Sequence, residues 1–197
     1  MKVLVYVALM SIACAAPAPV ATKLRLKSAG SPLYATIGRT EKKIADVALK
    51  AWMIEGGRQV LYSGRDGAGG YENEGQSLHL YDVSTGKRRK ILSEYFAIMR
   101  IEEVMTSSGK TALLVQMTDG GLGASHLAVV DPERGEVFSA GGAEVMDRSG
   151  GAIVVGSYKD EDWDKLRTNT KVRPFKTERY DVDELLLRPV IANKSGR

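Results

Sequence analysis

The sequence predicts an all-β protein: an array of four-stranded antiparallel units set side by side, three complete and one partial. Three observations predict it. A phrase of strand, aspartate and turn recurs, as "LYDVSTGK" at 80–87, "VVDPERGE" at 129–136 and "RYDVDELL" at 179–186. A methionine after a large apolar residue is followed four places later by a glycine, at Met53 and Gly57, Met105 and Gly109, and Met146 and Gly150. No segment carries a long 3.6-residue apolar period, whereas stretches such as "LHLYDV" alternate as half-buried strands do.

Taken in order, residues 24–49 hold two or three strand-like pieces and read as an incomplete unit. Within them, "EKKIADVALKAW" (41–52) is the one stretch that admits a short helix. The complete units start at Trp52, Val104 and Val145. Each runs from a first strand through its glycine, which fits a tight hairpin with positive φ, where another residue costs about 1–2 kcal/mol. An apolar run follows ("VLY", "ALLV", "AIVV"), then an aspartate at Asp66, Asp119 or Asp160. Third strands follow as "LHLYDV", "HLAVVD" and "FKTERYDV", and fourth strands as "TGKRRKIL", "RGEVFSAG" and "DELLLRPVI". A four-stranded unit recurring at about 40–50 residues is the blade of a β-propeller-like array, in which one blade buries its faces only against its neighbours. Met53, Met105 and Met146 fall at equivalent places on the first strands, where core filling is the expectation.

The segment "GGRQVLYSGRDGAGGYENEGQSLHLYDVSTGKRRKIL" (56–92) resembles a blade of the TolB-like and prolyl-oligopeptidase-type propellers. Leu61-Tyr62-Ser63, Leu80-Tyr81-Asp82 and Thr85-Gly86 carry the likeness. The second unit keeps "SSGK" (107–110) and "VVDPERGE"; the third keeps the hairpin and "RYDVDE". The resemblance implies an interaction platform, or a gating domain beside a hydrolase, and no hydrolase domain is visible here. Such propellers have about six to eight blades. This chain supplies at most four, so closure is expected through a compact four-blade ring, a dimer completing a larger ring, or a two-sheet sandwich. In the compact ring, the leftover N-terminal strands pair with the last unit.

The opening residues have a separate meaning. Lys2, an apolar run from Val3 to about Ala13, and the small residues of Ala13-Cys14-Ala15 describe a secretory leader. Cleavage after Ala15 gives a secreted or periplasmic chain without cysteine, while cleavage before Cys14 gives a lipid-anchored one. The expected organisation is a leader over 1–15, a flexible stretch over 16–23, one propeller-like domain over 24–191 and a disordered tail over 192–197. The formal net charge is +4 for the whole chain, and the leader contributes one lysine and no acid to it. That mild charge, with "GKRRK" (86–90) as the one dense basic run, argues against a nucleic-acid partner. No later run approaches the roughly 20 apolar residues of a membrane span.

Chemistry is sparse in the sequence. His79 and His126 read as equivalent residues at the start of the third strands, there is no G-x-S-x-G elbow, and no cluster of His or Cys offers a zinc site. No catalytic residue is assigned, and no cofactor is required. The loops after the second strands each open with Asp66, Asp119 or Asp160. Glu72, Glu74, Asp162 and Asp164 add oxygens, so calcium is the one metal the pattern leaves open, against the plain reading that Asp and Gly make turns. Trp163, among acids and followed by Lys165 and Arg167, marks either a contact surface or a lid packed on the array. The expectation is a non-catalytic binding or scaffold module that meets a protein or peptide through Asp66, Asp119, Asp160 and Trp163. The alternative is a metal-assisted or carboxylate-based hydrolase, glycosidase-like, on the acidic loop face.

Overall fold

A computed structural model describes residues 18–65, 76–93, 97–118, 125–168 and 171–191. The fold is all-β, with four antiparallel sheets in which the strand order follows the chain. The first sheet holds β1 (Ala21–Leu26), β2 (Ser31–Ile37) and β3 (Thr40–Ala48). The second holds β4 (Lys50–Ile54), β5 (Gln59–Arg65), β6 (Gln76–Asp82) and β7 (Arg88–Ser93). The third holds β8 (Ala97–Met105), β9 (Thr111–Thr118), β10 (Ser125–Asp131) and β11 (Gly135–Gly141). The fourth holds β12 (Ala143–Ser149), β13 (Ala152–Ser157) and β14 (Lys176–Asp181). Two short helices, α1 (Asp160–Arg167) and α2 (Val182–Leu186), belong to the fourth unit.

The apolar runs of the sequence have a direct cause: the middle strands bury both faces. In β5, Leu61 faces the third sheet while Val60 and Tyr62 face the first. In β9, Leu113, Val115 and Met117 pack against the second sheet while Ala112 and Leu114 pack against the fourth. β10 divides in the same way, with Ala128 and Val130 on one side and Leu127 and Val129 on the other. Alternation alone would leave one face in water; here each large side chain gains about 1.5–3 kcal/mol by burial on either side. Three apolar interfaces therefore join four sheets in chain order. Among the described residues, no buried apolar cluster joins the first sheet to the fourth.

The ends of the stack are finished differently. On β1 and β3, Arg25 donates to both Glu41 carboxylate oxygens at 2.7 and 2.6 Å. Its guanidinium also lies 4.3 Å from the Tyr34 ring centroid, so polar groups occupy this side of the first sheet. A polar outer face is what a terminal repeat needs. β1 to β3 pair with one another and not with the last unit, contrary to the ring-closing expectation. β1 starts at Ala21, which is buried, so order begins inside the stretch expected to be flexible.

Three further expectations change. Residues 41–52 form strands, because Ile44, Ala45 and Ala48 are needed in the interface with the second sheet. "DELLLRPVI" is not a fourth strand. Asp181 Oδ1 accepts from Glu184 N at 3.3 Å and caps α2, and Val182, Leu185 and Leu186 then bury one helical stripe against the third and fourth sheets. Beyond α2, Arg134 Nη1 and Nη2 donate to the Leu186 and Arg188 carbonyls, and Ile191 N donates to Glu136 O on β11. The C-terminal segment thus covers part of an edge strand. Finally, Met53, Met105 and Met146 are 41%, 66% and 49% exposed. They sit on the first strand of each sheet, which is an edge strand, and so are not core filling.

The recurring aspartate has one job in all three places. Asp82 Oδ1 accepts from Thr85 N (2.7 Å) and from the Ser84 hydroxyl (2.6 Å). Asp131 Oδ1 accepts from Glu133 N (2.8 Å) and Arg134 N (3.2 Å). Asp181 caps α2. Each carboxylate at the end of a third strand closes the turn that follows it.

Candidate functional site

β8 and β12 are the first strands of the third and fourth sheets, and between them lies a cleft of ≈ 150 Å³. Alternate residues of β8 and β9 and adjacent residues of the bulged strand β12 line it. Leu114 of β9, Leu127 of β10 and Val145 of β12 supply apolar lining. Arg100 and Glu102, two apart on β8, join Glu144 and Arg148 of β12 as its charged groups. Gln116 forms a wall: its amide donates to Ala143 O (3.0 Å), His126 O (3.2 Å) and Ser125 Oγ, tying β9 to β10 and β12.

The four charges are not equivalent. Glu102 pairs with Arg100 through one oxygen and with Arg148 through the other. Glu144 makes no hydrogen bond or ion pair with any described residue, and burial raises its pKa. Its charge in turn adds to burial in raising the pKa of the Tyr158 phenol. The contrast with the preceding sheet is informative, because "EVM" occurs at 103–105 and again at 144–146. Glu103 Oε2 accepts from Glu55 N at 2.9 Å, on the hairpin of the second sheet. Glu144 matches it in sequence, but a bulge between Val145 and Asp147 sets Glu144 opposite Gly156, where its side chain pairs with no described residue. That recurring tripeptide was the sequence signal for the site; strand register and the pairing across sheets tell the two glutamates apart.

The residues nominated from sequence are placed elsewhere. Asp66, Glu72, Glu74 and Asp119 lie outside the described residues. Asp160 and Asp162 stand in the first turn of α1, where they favour the helix dipole, and Asp162 Oδ1 receives Lys165 Nζ at 3.4 Å. Trp163 is not an exposed anchor. It is 3% exposed and packs edge-on against Tyr158, with centroids 5.3 Å apart. The long charged loop is thus a helix whose aromatic docks inward, which removes Trp163 as a contact residue. No group of three or more His, Cys, Asp or Glu able to hold a metal occurs among the described residues. No helix among them is long and apolar enough to cross a membrane.

The histidines are not quite equivalent either. His79 stands three residues before Asp82 and stacks on Tyr62 at 5.0 Å, whereas His126 stands five before Asp131. His126 Nε2 lies 2.7 Å from Ser139 Oγ, and burial lowers the imidazole pKa. Glu136, on the same strand, is a buried carboxyl whose pKa burial raises.

No protein-family model matches the chain, and no curated protein matches it.

Proposed function

We propose that the protein is a secreted or periplasmic, non-catalytic binding module that reads a protein or peptide partner, with a TolB-like array as its scaffold. The cleft between β8 and β12 carries this reading. Pockets for whole small-molecule ligands run to about 300–1,000 Å³. A volume of ≈ 150 Å³ suits one side chain of a larger partner, with apolar walls for its stem and charged groups for its tip. The secretory leader supports the location, and the blade-like sequence pattern supports the scaffold.

The hydrolase alternative draws less support. Glu102 and Glu144 do share the cleft, yet both oxygens of Glu102 are engaged by arginines, and the space falls short of a sugar ring with its neighbours.

Peptide display on the full protein and on a Glu144→Trp variant, which fills the cleft, tests the proposal. Sequences enriched on the wild type and lost on the variant are expected. Enrichment indifferent to filling removes the cleft as the site, and glycoside turnover abolished by Glu144→Gln would replace the module with an enzyme.

A further inference from the structure

Building on the module reading, we infer that the cleft takes a single alkylammonium group, a lysine side chain of the partner, with its charge on the Glu144 carboxylate and its stem along Leu114, Leu127 and Val145.

The choice among side chains follows from the local charges. Two arginines and two glutamates line the cleft, so its formal charge cancels when all are ionised. Glu102 pairs with one nitrogen of each arginine and offsets one of their two charges. An incoming carboxylate would have to share Arg100 and Arg148 with Glu102 and would meet both Glu102 and Glu144 as like charges. An incoming ammonium displaces neither arginine from Glu102 and finds in Glu144 a carboxylate that pairs with no described residue. A purely apolar side chain would bury Glu144 further with no compensation, which a half-buried carboxylate resists. Lysine also matches the mixed lining, since it lays its methylenes on apolar surface and keeps its charge at the tip. Gln116 is not available as a competing partner, because its amide nitrogen is committed to Ala143 O and His126 O. The burial that raises the Glu144 pKa is the cost that a cation removes, so binding lowers that pKa again.

The test is an amide-resolved NMR titration of the full protein with acetyl-Gly-Lys-Gly-amide. Two matched peptides replace lysine by norleucine or by glutamate. The lysine peptide is expected to shift the amides of Gln116, Leu127, Glu144 and Val145 with a Kd on the order of millimolar. The norleucine and glutamate peptides bind at least tenfold more weakly. Glu144→Gln, with its spectrum otherwise unchanged, loses the lysine effect, whereas Arg148→Ala keeps it. With the lysine peptide bound, the Glu144 carboxyl carbon titrates at lower pH. Equal binding of the norleucine peptide, preference for the glutamate peptide, no shifts in the cleft, or an intact response in Glu144→Gln each overturns the inference. Failure here is separable from failure of the module. Display that enriches cleft-dependent peptides without lysine keeps the module and discards the lysine.

Discussion

The joint between the first and second sheets depends on one glycine, and replacing it has a calculable effect. Gly57 has φ +87°, and a Cβ there would lie 2.1 Å from the carbonyl oxygen of Ala21 in β1. Carbon–oxygen contacts of this kind settle near 3.3–3.6 Å, so β1 and the hairpin must separate by about 1 Å or more. Gly57→Ala therefore combines two costs: about 1–2 kcal/mol for the left-handed backbone and about 1–3 kcal/mol for the forced repacking. Gly109→Ala isolates the first cost, because Gly109 has φ +78° with nothing within 4 Å of its Cβ. In a domain of this size each kcal/mol moves Tm by about 2–4 °C. Gly57→Ala should thus melt about 2–12 °C below Gly109→Ala in calorimetry, and amide exchange should quicken across Ala21–Leu26 only in Gly57→Ala. Equal melting of the two variants would refute the close approach of β1 to the hairpin, and with it the packing assigned to the first sheet.

Other consequences are open to measurement. Glu55 is a non-glycine residue at φ 50°, so Glu55→Gly relieves strain of about 1–2 kcal/mol, partly offset by glycine's freedom in the unfolded chain, and should raise Tm slightly in a thermal melt. Trp163→Ala empties a buried site and should cost about 3–5 kcal/mol in urea unfolding, where an exposed contact residue would cost little. Glu136 has a raised folded pKa, so the folded state binds its proton more tightly than the unfolded one. Stability is therefore fully present below the unfolded pKa and declines as pH rises through the folded pKa. Glu136→Gln should flatten that decline, matching the wild type at acid pH and exceeding it at pH 8 in urea melts. Asp82 has the opposite sign: hydrogen bonds from the Ser84 hydroxyl and Thr85 N lower its pKa, so its turn is strongest above the unfolded pKa and weakens as pH falls through the folded one. Asp82→Ala should cost about 1 kcal/mol at pH 7 and less in acid.

How much was legible in the sequence follows from the range of each interaction. The aspartates at 82, 131 and 181 bond to groups within three residues, so their recurrence marked the third strands correctly. The hairpin glycines were legible for the same reason, since Gly57, Gly109 and Gly150 all have positive φ whatever surrounds them. The methionines misled because a strand position does not say whether the strand is an edge; Met105 is 66% exposed where an interior strand would have buried it. Trp163 stayed open between contact surface and packed lid, because charged neighbours in sequence say nothing of which side of a helix turns inward; its burial decides for the packed reading.

The chain by itself determined the all-β class, the repeat and the turn chemistry, because these rest on contacts a few residues long and on a two-residue alternation. Tertiary structure alone decided that the sheets stack in chain order with both faces of the middle ones buried. It also decided that the last unit ends in a helix, and that of two "EVM" glutamates Glu103 bonds the neighbouring sheet while Glu144 pairs with no described residue. Those outcomes depend on which surface meets which, and groups such as Glu55 and Glu103, 48 residues apart, meet only after the sheets have packed.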